Sequence, residues 1–373
     1  MLAALLLSWN AEASEVRGEA TGLLHTWLTA YDQDDDPVAD PAGYGDPEHD
    51  MGLTLQRARL GLVLELPDPP KLTGTTVWMT TVVGSDAPAD ALDTASSDIA
   101  LIDARLGFDQ DIGRYHNRTA VGFQRIQYSR ESMIASADLV FQDRSIGATH
   151  LVPSRSVGVS AAPSLDWGKG ETPVRTTLRF GAFDATSELF DSSGGGGLAF
   201  GRLDVGWGED HATWSADGDS ALGAGASLVG HDVVGATDLT WHVDLLARWR
   251  WVTALGGLTR STVRPADGLL VNPLVNLETE RTATWAQLGG FIPCSGDQGL
   301  EIAARYELFD DAGHLEDNGD VSRLTAGLTW RNLVPFVDMG AGYVHREELH
   351  GNAFDNDTLR IWIGARPKVG FGG

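Results

Sequence analysis

Along nearly the whole chain, apolar and polar side chains alternate with period two in runs of strand length, separated by clusters of Gly, Asp, Asn and Pro. In His242 to Leu255 one parity holds Val243, Leu245, Ala247, Trp249, Trp251 and Leu255, and the other His242, Asp244, Arg248 and Arg250. Gly299 to Leu308 repeats the pattern, with Leu300, Ile302, Ala304, Tyr306 and Leu308 opposed to Glu301, Arg305 and Glu307. Val321 to Arg331 and Thr358 to Arg366 do the same, and further strand-length segments lie at 16–31, 52–66, 72–84, 99–108, 118–127, 174–183, 198–208, 222–232, 282–292 and 334–345. Two more strands have room in 145–162 and 265–280, so the even total is about sixteen at ~22 residues per strand and connection. That spacing fits ~10-residue membrane strands joined by alternately short and long connections. No run of ~18 apolar residues exists for a spanning helix.

The fold class expected is all-β. Soluble sandwiches and propellers alternate too, but two details favour a transmembrane antiparallel barrel. Aromatics (Trp27, Trp249, Trp251, Trp330, Tyr343) sit near the ends of apolar faces, where an interfacial girdle places them. The opposite faces carry ions, above all Arg, which a barrel turns toward a water-filled lumen and a sandwich toward solvent. An Arg facing lipid at the midplane costs ~2–4 kcal/mol, so arginines that share parity with polar residues are expected inside. Arg57, Arg59, Arg175, Arg179, Arg248, Arg250, Arg305, Arg323, Arg331 and Arg360 meet that test. The competing reading is that such arginines pair with Asp138, Asp143, Asp244, Glu301 and Glu307 and merely satisfy the wall.

Charge enters next. The formal net charge is −25, from 52 Asp and Glu against 27 Lys and Arg. That balance argues against a nucleic-acid partner, which needs basic side chains to neutralise phosphates, and against a peripheral protein held electrostatically on anionic lipid. The stretches 32–50, 86–98, 310–320 and 347–357 together hold 21 of the acids and no Lys or Arg, so the remainder of the chain is nearly neutral. Of the 27 bases only Lys71, Lys169 and Lys368 are lysines. Arginine's planar fork suits anion contacts, although a G- and C-rich genome produces the same bias. The single cysteine, Cys294, excludes a disulfide framework and reads as a wall residue.

Residues 1–13, with the apolar run Met1 to Ser8 and then Ala11-Glu12-Ala13, read as an export signal that lacks its basic start; a soluble helix is the alternative. Residues 14–373 are expected to form one barrel domain. No cofactor, metal site or enzymatic constellation is expected. Asp32 to Asp36 lacks the Gly and Glu of a calcium loop, the histidines lack ligand spacing, and Gly194 to Gly197 has no phosphate-loop Lys.

Several stretches resemble the family of phosphate-selective porins O and P of Gram-negative outer membranes. Ala120 to Ile146, containing Gly122-Phe123-Gln124-Arg125 and Tyr128-Ser129-Arg130-Glu131 and ending in Arg144-Ser145, is similar to the family's Gly-x-hydrophobic-Lys/Arg-x-Pro-Phe-Ser-x-Glu run, with Gln127 where the family has Pro. Arg155 to Gly158, Leu53 to Leu66 with Gln56-Arg57-Ala58-Arg59, Trp285 to Pro293 and Leu300 to Tyr306 follow in the family's order. The likeness spans about residues 50–366. It implies a sixteen-stranded outer-membrane barrel whose long segment after the Gly-Phe-Gln-Arg strand folds into the lumen as a constriction. There Arg125, Arg130 and Arg144 would relay phosphate, with Ser129 and Ser136 as neutral donors. It also implies a homotrimer and passive diffusion of small anions or other hydrophilic solutes, with outer-membrane lipid and lipopolysaccharide as surroundings. One departure is that Pro367 to Gly373 trails beyond the last good strand, so Phe371 is not terminal. Two rival functions remain from sequence: a plugged outer-membrane barrel acting as adhesin or enzyme, and a secreted soluble all-β carbohydrate-binding protein.

Overall fold

A computed structural model describes residues 16–33, 52–67, 74–86, 100–135, 138–141, 143–168, 172–184, 196–208, 220–233, 236–265, 278–316, 319–350 and 356–371. The expected signal segment, Ser136 and Asp34 to Asp36 lie outside the described residues. The strands are β1 (Arg17–Gln33), β2 (Gly52–Pro67), β3 (Thr75–Asp86), β4 (Ala100–Ile112), β5 (Tyr115–Arg125), β6 (Arg155–Trp167), β7 (Val174–Asp184) and β8 (Gly197–Trp207). They continue as β9 (Ala221–Val233), β10 (Ala236–Trp249), β11 (Val252–Pro265), β12 (Thr279–Pro293), β13 (Gly299–Asp310), β14 (Val321–Val334), β15 (Val337–Glu348), β16 (Asn356–Ala365) and a short β17 (Lys368–Phe371). Each strand from β1 to β16 pairs antiparallel with its chain neighbour, and β1 pairs with both β2 and β16. The sheet therefore closes with no free edge, and its ladders run along both sides of the strands, as a bilayer demands, with irregularities at β1–β2, β3–β4, β6–β7 and β14–β15.

Burial along the strands decides between barrel and sandwich. In β10, Leu239, Trp241, Val243, Leu245 and Trp249 are exposed, while Asp238, Thr240, His242, Asp244 and Arg248 are buried. Strands β13 and β14 repeat this inversion, with Glu301, Arg305, Glu307 and Arg323 inside and Ile302, Tyr306, Leu324 and Leu328 outside. A water-soluble sheet does the reverse. The expected barrel of sixteen strands is what closes here.

Four details correct the sequence reading. The run His242 to Leu255 is two strands, because the chain turns at Arg250 and Trp251; Arg250 takes a left-handed φ of 55° and Leu255 faces inward. The segment 145–162 contains the start of β6, whereas of 265–280 only the ends are seen, as the close of β11 and the start of β12, and 266–277 lie outside the described residues. Trp27 is not a girdle residue: it faces the lumen and is fully buried, while Leu24 and Leu28 face outward. The chain after Arg366 does not trail away. Ala365 pairs with Leu24, Lys368 with Thr21 and Phe371 with Gly18, so β17 carries β16 onward along β1 after an interruption at Pro367, which has no N–H to give the ladder. The ring of Phe371 lies over Gly18, where a Cβ would sit 2.1 Å from it.

The strand ends joined by 113–114, 250–251, 294–298 and 335–336 lie at one rim, where 208–220 is the one long connection; the strand ends joined by 34–51, 87–99, 126–154, 266–278 and 311–320, all long, lie at the other. Short turns mark the periplasmic rim of outer-membrane barrels and long loops the outer rim. The four acidic stretches all fall at the long-loop rim, in connections that are neighbours around the barrel from β13 through β16 and β1 to β4.

Candidate functional site

The connection between β5 and β6, residues 126–154, does not stay at the rim. It enters the barrel and lies against the inside of β7 to β14. Ile126, Tyr128 and Val152 pack on Phe183, Leu198, Phe200 and Val229. Ile134, Leu139, Val140 and Phe141 pack on Ala221, Leu246, Leu255, Trp285 and Ala303, and Ile146 and Leu151 on Ala283, Phe309 and Val321. A lumen wall carrying apolar residues at these inward positions is wasted on water, so the loop covers it.

Local chemistry shapes the loop. Ser129 and Ser132 cap each other reciprocally: the Ser132 N–H donates to Ser129 Oγ and the Ser129 N–H to Ser132 Oγ, each at 3.0 Å, which fixes the single helical turn Arg130–Met133. Ser145 caps Ile146–His150, its Oγ accepting from the Ala148 N–H at 3.3 Å, and its own N–H donates to Glu131 at 2.6 Å. The two turns are thus tied to each other.

Buried ion pairs then tie the loop to the wall. Asp244 of β10 accepts from the Arg130 N–H at 2.8 Å, from Arg130 Nε at 3.1 Å, from Arg202 at 2.9 Å and from His242 Nε2 at 2.9 Å. Arg202 also donates to the Tyr128 carbonyl at 3.0 Å, and Arg179 joins Asp204 and Gln127, each at 3.1 Å. Farther along the loop, Arg305 bridges Glu131 at 3.3 Å and Glu307 at 3.0 Å, while Glu307 accepts from Arg323 at 2.6 Å and from the Ile146 N–H at 2.9 Å. Arg130 and Arg305, two of the residues expected to bind solute, are therefore occupied in holding the loop. Ser129 is a helix cap.

The opposite side of the lumen gathers a different set. A bulge at Gln56 lets His25 pair with Arg57 and Thr26 with Leu55, so Leu53, Leu55 and Leu60 all face outward while Arg57 and Arg59 face in. Arg125 at the end of β5 is in register with Arg155 at the start of β6. Arg125 Nη1 donates to the Ile134 carbonyl at 2.6 Å and to that of Ser132 at 3.2 Å, and Arg144 Nη2 donates to the same Ile134 carbonyl at 2.7 Å. Arg125 lies within electrostatic reach of Arg144, Arg155 and Arg59, and Arg144 of Arg155, Arg57 and Arg59. Five arginines thus converge where the loop leaves and rejoins the wall. The carboxylates within reach of them include Asp103, 3.0 Å from Arg105, Asp143, 2.5 Å from Arg360, and Glu131, which acts on Arg144. Burial lowers the Arg144 guanidinium to about 10, so it stays charged at neutral pH.

Of the expected site residues, Arg57, Arg59, Arg125 and Arg144 come together here. Arg248 is buried on the inner face of β10, and Arg250 lies in the β10–β11 turn at the short-turn rim. Arg155 joins the cluster although the sequence singled it out only as part of a strand motif; strand register, not spacing, brings it to Arg125. Trp27 also belongs to this wall, between the guanidinium carbons of Arg57 at 5.9 Å and Arg360 at 4.0 Å from its ring centroid. On the short-turn side of the loop a cavity of about 560 Å³ is lined by Arg59, Arg366, Lys368, Asp138 and Asn332.

Asp143 gives the loop tip a pH response. Burial pushes its carboxyl up and the Arg360 guanidinium beside it more than offsets this, leaving it below the ordinary carboxylate value. A depressed carboxyl stabilises above its unfolded pKa of ~3.9 and loses that contribution only as pH falls through the lowered value. The Asp143–Arg360 pair is therefore expected to hold from neutral pH down to about pH 4.5 and to break in stronger acid, read as a transition in single-channel recordings that Asp143→Asn abolishes; an Asp143-dependent transition near pH 6 would contradict this.

No protein-family model and no curated protein matches the chain. Solved structures do. A loop-deletion variant of OmpT, an outer membrane protein of Vibrio cholerae, superposes with a TM-score of 0.60 at 12% identity, over 95% of this chain and 100% of that one. The outer membrane channel DcaP of Acinetobacter baumannii gives 0.57 at 12% identity over 96% and 99%, and an anion-selective porin from Comamonas acidovorans 0.57 at 11% over 96% and 100%. At these identities the likeness is one of fold, and with the apolar exterior it makes this chain a sixteen-stranded β-barrel of the outer membrane.

Proposed function

We propose that the barrel is a porin: a passive channel for small hydrophilic solutes, preferring anions, phosphate among them, and assembling as a homotrimer. The observation that carries the reading is the convergence of Arg57, Arg59, Arg125, Arg144 and Arg155 where the loop leaves and rejoins the wall, with Arg125 and Arg144 also bonded to the loop's own carbonyls. A sixteen-stranded barrel is wide enough to enclose an aqueous channel. Guanidinium groups spaced along its wall replace anion hydration in steps, each weak enough for the ion to move on. The resemblance to phosphate-selective porins and the described anion selectivity of one structural neighbour support the same preference, and a trimeric form of another neighbour supports the assembly. The acidic long-loop rim opposes anion access only within a Debye length of ~8 Å at physiological salt, and divalent cations shared with lipopolysaccharide would offset it. No enzymatic role is proposed.

The test is the reversal potential of the detergent-purified chain in a planar bilayer under a KCl gradient. The expected sign is that of chloride preference, with partial block of the current by millimolar phosphate. Cation preference without phosphate block overturns the anion reading, and zero conductance overturns the channel.

A further inference from the structure

The outer wall carries a hollow of about 930 Å³ spanning β7 to β14. Outward-facing Ala247, Ala254 and Ala286 form its floor, and Trp207, Leu245 and Tyr306 rise around it. The surface is apolar and runs from mid-barrel toward the short-turn rim, where β8 and β10 end and β9 and β11 begin. Directly beyond the floor is the turn Trp249-Arg250-Trp251. Both tryptophans are exposed, 74% and 57%, as interfacial aromatics are. Arg250 is exposed between them and makes no ion pair with a described residue. Ala247 and Arg250 are three residues apart, about 10 Å along a strand, which is the distance over which a lipid passes from its upper chain methylenes to its phosphate.

We propose that this hollow and turn hold one glycerophospholipid of the periplasmic leaflet, its acyl chain against Ala247, Ala254 and Ala286 and its phosphate on Arg250. A second copy of the chain would fill the hollow with apolar side chains and leave the guanidinium at the rim uncompensated; an anionic headgroup at that depth supplies the opposite charge. Lipopolysaccharide phosphates lie at the other rim. Arg250 is thus a lipid contact and not a channel residue.

The full chain, delipidated in detergent and incubated with phosphatidylglycerol or with diacylglycerol, is examined by native mass spectrometry. Wild type is expected to retain one phosphatidylglycerol and little diacylglycerol. Arg250→Asn, which tolerates the left-handed backbone at φ 55°, should lose about fivefold in retention, the worth of one basic side chain at an anionic lipid surface, while Arg250→Lys keeps most of it. Ala254→Phe, which fills the hollow, should lose it as well. Unchanged migration of the folded barrel on unheated gels establishes that each variant has closed. Wild-type retention by Arg250→Asn or by Ala254→Phe overturns the proposal, as does disulfide capture of a second copy by Ala254→Cys.

Discussion

Replacing Asp244 by Ala is expected to free the lumenal loop from its wall. The carboxylate accepts from the Arg130 backbone and side chain, from Arg202 and from His242, and it is fully buried. Removing one member of a buried ionic cluster leaves the others charged and unsatisfied, which costs ~3–5 kcal/mol. Because ladder hydrogen bonds close the barrel independently of the loop, that cost falls on loop docking. The prediction is a larger and noisier single-channel conductance with the folded gel migration retained. Asp244→Asn, which keeps an acceptor for the Arg130 N–H, should show a smaller change. Wild-type conductance and noise in Asp244→Ala would show that the loop is held by its apolar clusters alone.

This anchoring was only half visible in the sequence. The alternation of β10 and β13 placed Asp244, Arg305 and Glu307 on the inner face correctly, because period two fixes the face of every residue once one face is known. It did not say what they meet inside. That depends on pairs more than a hundred residues apart, such as Arg130 with Asp244 and Ile146 with Glu307, which no local pattern encodes. The suspicion that arginines pair with Asp143, Asp244 and Glu307 describes Arg360, Arg130 and Arg323 as they stand. Parity misleads where a strand breaks. Arg250 occupies a two-residue turn with no Gly, Asn or Pro to announce it, so β10 and β11 looked like one run. The bulge at Gln56 had the same potential to mislead, yet Arg57 and Arg59 were assigned inward, since Ala58, Leu60 and Leu62 restart the apolar series after it.

The division of the arginines into anchors and channel lining has its sharpest consequence at Arg59. It faces inward from β2, lines the cavity on the short-turn side, and lies within reach of Arg125 and Arg144. A unit charge ~7 Å from a permeating ion contributes about 2 kcal/mol at an effective dielectric constant of ~20. Arg59→Glu inverts that contribution, so the anion-to-cation permeability ratio should fall by at least about tenfold, enough to change the sign of the reversal potential at low salt. Near 1 M salt, where the Debye length is ~3 Å, most of the difference should vanish. Arg305→Met provides the contrast. It removes a partner of Glu131 and Glu307 beneath the loop, so it should disturb conductance and noise as Asp244→Ala does, with little direct effect on selectivity. If Arg59→Glu leaves the reversal potential unchanged while Arg305→Met shifts it, solute passes along the anchored side of the loop, and the roles assigned to the two groups of arginines are exchanged.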